Sequence, residues 1–258
     1  MSSAAQRWAD ELAAWRIDPD ILARAPENPY AFPPGLFRAA HPESTTPLTE
    51  RARAALPDSG TVLDVGAGAG AASLPLAPPA GHLVVVDTQP SMLDELASTA
   101  SGRGLRITRV DGEWPGVADQ VPVCDVVVCS HVAYNVPDLG PFAQALNDRA
   151  RNRVVLELHS DHPWVPLGPL WQRYHHQPRP TGPTAELAVA VLREHGIEPQ
   201  QQVWERPAPD LDGEALATYV AFTRRRLCLP SERDPEIADH LAAHPPQPRR
   251  SVVLWWDR

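Results

Sequence analysis

The chain has 258 residues, 43% of them apolar, and a formal net charge of −9. That length fits one globular domain with appended elements and a sizeable core. The acidic balance disfavours a general nucleic-acid binder, which needs basic surface to neutralise phosphates. All 23 basic residues are arginines, which removes lysine from any role as base or Schiff-base former. The three cysteines form no disulfide framework and show no zinc-site spacing. No stretch reads as a signal peptide or a membrane span, so a cytoplasmic location is expected.

In chain order, Trp8, Leu12 and Trp15 recur at helical spacing and predict an amphipathic N-terminal helix. Asp18–Pro19 supplies an N-cap followed by a first-turn proline, which predicts a short second helix through Ile21 and Leu22. Residues 26–37 are rich in proline and aromatics, including Tyr30 and Phe32, and read as irregular. Thr46–Pro47 opens a further helix.

Strand and helix then alternate. Strands are expected near 61–65, 83–87, 105–110, 123–130 and 152–159. Helices are expected near 69–77, 90–101, 138–151 and 184–195. Near-continuous Val and Leu in the strands indicates a parallel sheet covered on both faces. Ligands of such sheets bind beyond the strand C-termini, so Gly66, Asp87, Asp111, Ser130 and His159 should meet at one crevice. Beyond residue 200 come a strand (200–206), two helices (212–227 and 234–243) and a closing strand (251–256). That last strand is equally able to pair within the domain or with a second subunit, so the oligomeric state, homodimer included, stays open. Arg224–Arg225–Arg226 reads as a solvated helix face rather than a basic patch.

The motif carrying the chemistry is Asp64–Val65–Gly66–Ala67–Gly68–Ala69–Gly70, at the end of an apolar strand. Glycines there let the backbone approach a ligand closely. About twenty residues on, a second apolar strand ends at Asp87, placed to accept from both hydroxyls of a ribose. Gly66, Gly68 and Ala71 also satisfy the dinucleotide fingerprint, so the glycines alone leave NAD(P) open.

The pattern Asp64–x–Gly66–x–Gly68–x–Gly70 resembles motif I of the class I S-adenosylmethionine-dependent methyltransferases. The segments Asp111–Gly112–Glu113–Trp114–Pro115, Cys124–His131 and Asn152–Leu158 resemble the later elements of that family. The resemblance covers roughly residues 60–160. It implies a doubly wound, mostly parallel seven-stranded α/β sheet with helices on both faces, a Rossmann-like methyltransferase fold. An N-terminal helical extension (1–55) would precede the cofactor domain (56–258), which would carry a lid-like insertion (160–183) and a helical insertion (207–248).

It further implies S-adenosylmethionine as cofactor. Asp64, Gly66 and Gly68 would hold the methionine end, and Asp87 the ribose. Thr88 and Gln89 either flank the adenine or form an ordinary turn before Pro90. Asp111, Gly112 and Glu113 lie near the adenine, and Trp114 either stacks on the ring or anchors its loop in the core. Ser130 closes the cofactor set. His131 and His159 are the candidate bases, against packing roles for both. Ser130–His131–Val132–Ala133 departs from the Asn/Asp–Pro–Pro–aromatic motif of enzymes that methylate base amines, which disfavours that activity.

The run from His159 to His176 holds four histidines and several aromatics. Its spacing matches no metal site, and it reads either as an aromatic lid or as a helix packed on the sheet edge. The expected reaction is methyl transfer to a small neutral or apolar acceptor, with no nucleic-acid or membrane partner. The competing readings are an NAD(P)-dependent oxidoreductase and a non-catalytic cofactor-binding protein.

Overall fold

The computed structural model describes residues 2–31 and 45–258. Phe32 and the rest of the proline-rich segment to residue 37 lie outside them. Seven strands form one sheet: β1 (Thr61–Val65), β2 (His82–Asp87), β3 (Arg106–Asp111), β4 (Cys124–Ser130), β5 (Ala150–His159), β6 (Gln200–Arg206) and β7 (Arg249–Asp257). Their order is β3-β2-β1-β4-β5-β7-β6. β1 to β5 pair in parallel, while β7 runs antiparallel between β5 and β6. Both edges of β7 are therefore paired within the domain, and neither is left for a second subunit.

The helices are α1 (Ala4–Ala13), α2 (Pro19–Ala23), α3 (Pro47–Arg53), α4 (Pro90–Gly102), α5 (Leu139–Asp148), α6 (Gly168–His175), α7 (Ala185–Glu194), α8 (Gly213–Arg226) and α9 (Asp234–Ala243). The alternation of side chains along each strand sorts the core into two layers. Leu63, Val65, Val84, Val127, Leu156 and Leu254 face α1, α5 and α7. Val62, Leu83, Val85, Val126, Val155 and Val253 face α3 and α4.

The expected caps form. Asp18 accepts from the backbone N–H groups of Asp20 and Ile21, and Thr46 and Thr49 make a reciprocal capping box on α3. The helix expected at 69–77 does not form. Only a single 3-10 turn, Leu74–Leu76, stands there. Pro75, Pro78 and Pro79 deprive this segment of the N–H donors a longer helix would need.

A third apolar cluster lies off the sheet. It joins Trp15, Ile17 and Ile21 from the N-terminal segment to Trp164, Leu170 and Trp171 after β5. Val220, Leu227, Ile237 and Leu241 of α8, α9 and their connection complete it. These three stretches make one cap. α1 does not belong to it: Trp8 and Leu12 pack in the α5/α7 layer, and Trp8 Nε1–H donates to the Val136 carbonyl at 2.8 Å.

The arginine run at 224–226 is not a solvated face. Arg224 is buried and pairs with Glu27 at 2.6 Å and Asp234 at 2.7 Å. Arg226 is buried too, with its guanidinium 4.7 Å from the Trp164 ring centroid and 4.4 Å from that of Phe222. Among the described residues, no helix is long and apolar enough to cross a membrane.

Candidate active site

Parallel pairing sends β1, β2, β4 and β5 to a common C-terminal edge. Asp87, Ser130 and His159 end their strands there, with Gly66 directly after β1. The loop after β1 is tied to the end of β2. The N–H groups of Gly66 and Ala67 both donate to the Val86 carbonyl, at 2.8 and 3.0 Å. Gly68 N–H donates to Asp87 Oδ2 at 2.8 Å, and Gln89 N–H to Oδ1 at 2.8 Å. One carboxylate thus holds two backbone amides, and each oxygen keeps a further lone pair for a ligand. Gly66 has φ +70° and Gly68 φ +51°, the left-handed region that glycine enters without penalty. A Cβ at Gly66 would lie 2.2 Å from Val132 Cγ2.

Asp64 is fully buried, and neither carboxylate oxygen has a hydrogen-bond partner. The neighbouring Ser73 hydroxyl is buried and unpartnered as well. Burial, reinforced by the charge of Asp87, pushes the Asp64 carboxyl up to about 7, although Ser73 pulls it back somewhat. A buried carboxylate with only the weak support of Ser73 is costly, and a cation or a further donor beside it would stabilise its charged form.

The loop after β3 follows one of the two readings offered for Trp114. Asp111 stands level with Asp87 in register, but it is exposed and paired with Arg109 at 2.7 Å. Trp114 is buried, and its Nε1–H donates to the Phe142 carbonyl at 3.4 Å. It anchors the loop in the core, so its indole is not free to stack on a ligand. Gly112 N–H donates to the Asp87 carbonyl at 3.0 Å, which binds this loop to β2. Glu113 and Thr88 are exposed, and Gln89 half-buried, beside that junction.

Beyond β4 lies a polar cluster whose extent the sequence did not reveal. Glu157 of β5 is buried and accepts from Ser130 Oγ at 3.1 Å and Trp204 Nε1 at 3.1 Å. Burial raises its pKa above the usual carboxylate value, with the Arg206 charge opposing. Ser130 is therefore engaged with Glu157. His131 turns the chain out of β4 at φ +59°, and its N–H donates to the Glu157 carbonyl at 2.7 Å. Its ring lies 4.3 Å from that of His159.

The two histidines, the candidate bases, differ in what their ring nitrogens meet. Arg206 Nη1 donates to His131 Nε2 at 2.7 Å. Arginine has only donors, so Nε2 must be the lone-pair nitrogen and it is occupied. Nδ1 then carries the proton, and it is buried without a partner. Burial, His159 and the charges of Arg206 and Arg249 hold the His131 pKa well below its usual value. His159 Nδ1 lies 3.2 Å from Ser251 Oγ. Burial, then Arg249 and Arg206, lower its pKa to about 3.

The segment after β5 packs into the cap rather than onto the sheet edge. His162 stacks on Trp15 with centroids 3.9 Å apart, and Tyr30 stacks on Trp164 at 5.7 Å. Tyr134 O–H donates to the His159 carbonyl at 2.7 Å.

Known proteins share this architecture. Residues 62–152 match the family described as "Methyltransferase domain". An uncharacterised protein of Haemophilus influenzae is 35% identical over 96 residues, covering 37% of this chain and 35% of its own. The match thus spans about a third of that relative's length. Among solved structures, an S-adenosylmethionine-dependent methyltransferase of Thiobacillus denitrificans, in complex with S-adenosyl-L-homocysteine, superposes with a TM-score of 0.54. It is 15% identical, and the match covers 94% of this chain and 99% of that one. A structure described as that of a putative methyltransferase from Bacillus halodurans gives a TM-score of 0.55 at 17% identity, covering 81% and 96% of the two chains. The YcgJ protein of Bacillus subtilis gives 0.53 at 18% identity, covering 82% and 97%. At these identities the likeness shows the fold.

Proposed function

We propose that this chain, whose residues 62–152 match the methyltransferase-domain family, is an S-adenosylmethionine-dependent methyltransferase that transfers a methyl group to a small acceptor seated between the sheet edge and the cap. The observation that carries this reading is the pair of acids at the tips of β1 and β2: Asp64, buried with both oxygens unpartnered, and Asp87, held in place by Gly68 and Gln89. The first suits the ammonium of the cofactor's methionine end, and the second suits its ribose hydroxyls. S-adenosylmethionine, when bound, supplies a methyl on a sulfonium that an acceptor lone pair displaces in line.

The protein's own residues position and enclose. Gly66 and Gly68 let the loop pass close to the ligand. Asp87 keeps one free lone pair per oxygen, and its two backbone donors fix its orientation in advance. The cap aromatics Trp15, Trp164 and Tyr30 exclude water from the acceptor side. His131 and His159 stay neutral and add no positive charge beside a sulfonium. His131, its lone pair taken by Arg206, shapes the crevice.

Isothermal titration with S-adenosyl-L-homocysteine, and with NAD and NADP alongside, tests this reading. Micromolar binding of the homocysteine compound alone is the expected result. Preference for NAD or NADP overturns it. Binding without turnover across a broad acceptor screen would favour a non-catalytic cofactor-binding protein.

A further inference from the structure

The chain is acidic overall, yet the paired ends of β6 and β7 bring two arginines together. Arg206, the last residue of β6, stands directly opposite Arg249, the first of β7. Like charges directly opposite across a strand pair are destabilising. Their hydrogen bonds go to neutral acceptors. Arg206 donates to His131 Nε2, and Arg249 donates to the carbonyls of Pro163 at 3.0 Å and His162 at 3.4 Å. No ion pair among the described residues includes either guanidinium. The carboxylates that face them are Glu157, toward Arg206, and Asp161, toward Arg249.

Two further observations point the same way. The Nδ1 of His131, which the Arg206 contact makes a donor, is buried and unpartnered. Arg179 lies 5.2 Å from the Trp15 ring centroid and 4.7 Å from that of Trp171, and its buried Nε also lacks a partner. Burial keeps all three imidazoles neutral, reinforced by the fields of Arg206 and Arg249 at His131 and His159 and of Arg179, Arg249 and Arg226 at His162. The region therefore holds several donors, a pair of guanidiniums only partly offset by Glu157 and Asp161, and flanking aromatic surface.

We propose that the methyl acceptor carries a carboxylate, which bridges the guanidinium groups of Arg206 and Arg249. A planar carboxylate matches the guanidinium fork. A monoanion suits the site better than a phosphate dianion, because Glu157 and Asp161 already offset part of the positive field. The proposal rests on the methyltransferase reading and replaces the neutral acceptor expected from the sequence with an acid.

The test is titration of protein saturated with S-adenosyl-L-homocysteine, using benzoate, its neutral isostere benzamide, and inorganic phosphate. Benzoate should bind in preference to both. Arg206→Gln, which alters an exposed strand end, should weaken benzoate about tenfold or more, and Arg206→Lys should recover part of the loss. Homocysteine-compound affinity should stay within about twofold in both variants. Bound benzoate should also raise the pKa of His131 and His159 in an NMR titration, because it screens the two arginines. Benzamide binding as well as benzoate, benzoate undiminished in Arg206→Gln, or tighter binding of phosphate each overturns the proposal. Failure to bind S-adenosyl-L-homocysteine at all overturns instead the reading on which it rests.

Discussion

Arg206 Nη1 donates to His131 Nε2 at 2.7 Å, joining the last residue of β6 to the residue that follows β4. Each partner sets the other's state: the guanidinium occupies the imidazole lone pair, and the imidazole takes the place of a carboxylate counter-ion. His131→Gln keeps an acceptor for Arg206 and should leave affinity for S-adenosyl-L-homocysteine within about twofold. Its pH–rate profile should match that of the unaltered protein between pH 6 and 8. Loss of an ionisation in that range on substitution would show that His131 does act as a base.

Asp87 secures two loops at once. Asp87→Ala removes the acceptor for Gly68 and Gln89 as well as the expected ribose contact. Binding of S-adenosyl-L-homocysteine should weaken by about 1.5–3 kcal/mol, the size of lost hydrogen bonds to a charged group. Titration calorimetry on a variant of unchanged circular dichroism reads this out, and undiminished affinity would place the ribose elsewhere.

Asp64 gives the protein a distinctive response to pH. Its folded pKa of about 7 lies above its unfolded value, so the native state binds more protons than the unfolded state between about pH 4 and pH 7. Its contribution to stability is fully present below pH 4 and is lost as pH rises to 7, with a size on the order of 4 kcal/mol. Asp64→Asn should remove this dependence from urea titrations. The charged carboxylate is the form that pairs with an ammonium. Cofactor-product affinity should therefore rise about tenfold per pH unit below 7 and level off above it. A flat profile would mean that Asp64 does not meet the ammonium.

His159 and His162 act in the opposite sense. Burial, with nearby arginine charge, brings both to a pKa of about 3. Depressed folded values mean stability that is present above the unfolded pKa near 6.5 and lost progressively as pH falls toward 3. His162→Phe keeps the stacking on Trp15 and should make the cap less sensitive to acid, which Trp fluorescence between pH 6.5 and 4 would follow.

Gly66→Ala places a methyl 2.2 Å from Val132 Cγ2 at φ +70°. The left-handed backbone alone costs an L-residue about 1–2 kcal/mol. The variant should melt lower and bind S-adenosyl-L-homocysteine poorly. Adding Val132→Ala should relieve the overlap but not the backbone cost, so stability returns only in part. Full recovery would mean that φ at Gly66 is free to change.

The parallel half of the sheet was legible because its strands are near-continuous Val and Leu, and because Asp64, Gly66 and Asp87 sit at spacings that only a ligand-binding sheet edge requires. The caps at Asp18 and Thr46 were readable from two residues each. The segment 69–77 misled because its alanines and leucines suit a helix, while the prolines at 75, 78 and 79 stop it after one turn. Arg224 and Arg226 were misread because their burial depends on distant partners. Glu27 lies 197 residues from Arg224 in the chain, and Trp164 comes from another element altogether. The Glu157–Arg206–His131 cluster was hidden for the same reason. An acid within an apolar strand acquires its meaning only when β6 and β7 fold back beside it.

The cap core draws on three stretches of chain, separated from one another by strands of the sheet. It has no continuous segment of its own, so it cannot be exchanged between relatives as a cassette. Replacing any one stretch would strand the tryptophans contributed by the others. A lineage changing its acceptor must therefore alter this enclosure residue by residue, keeping Trp15, Trp164 and Trp171 mutually compatible at every step, while the cofactor half is free to stay the same.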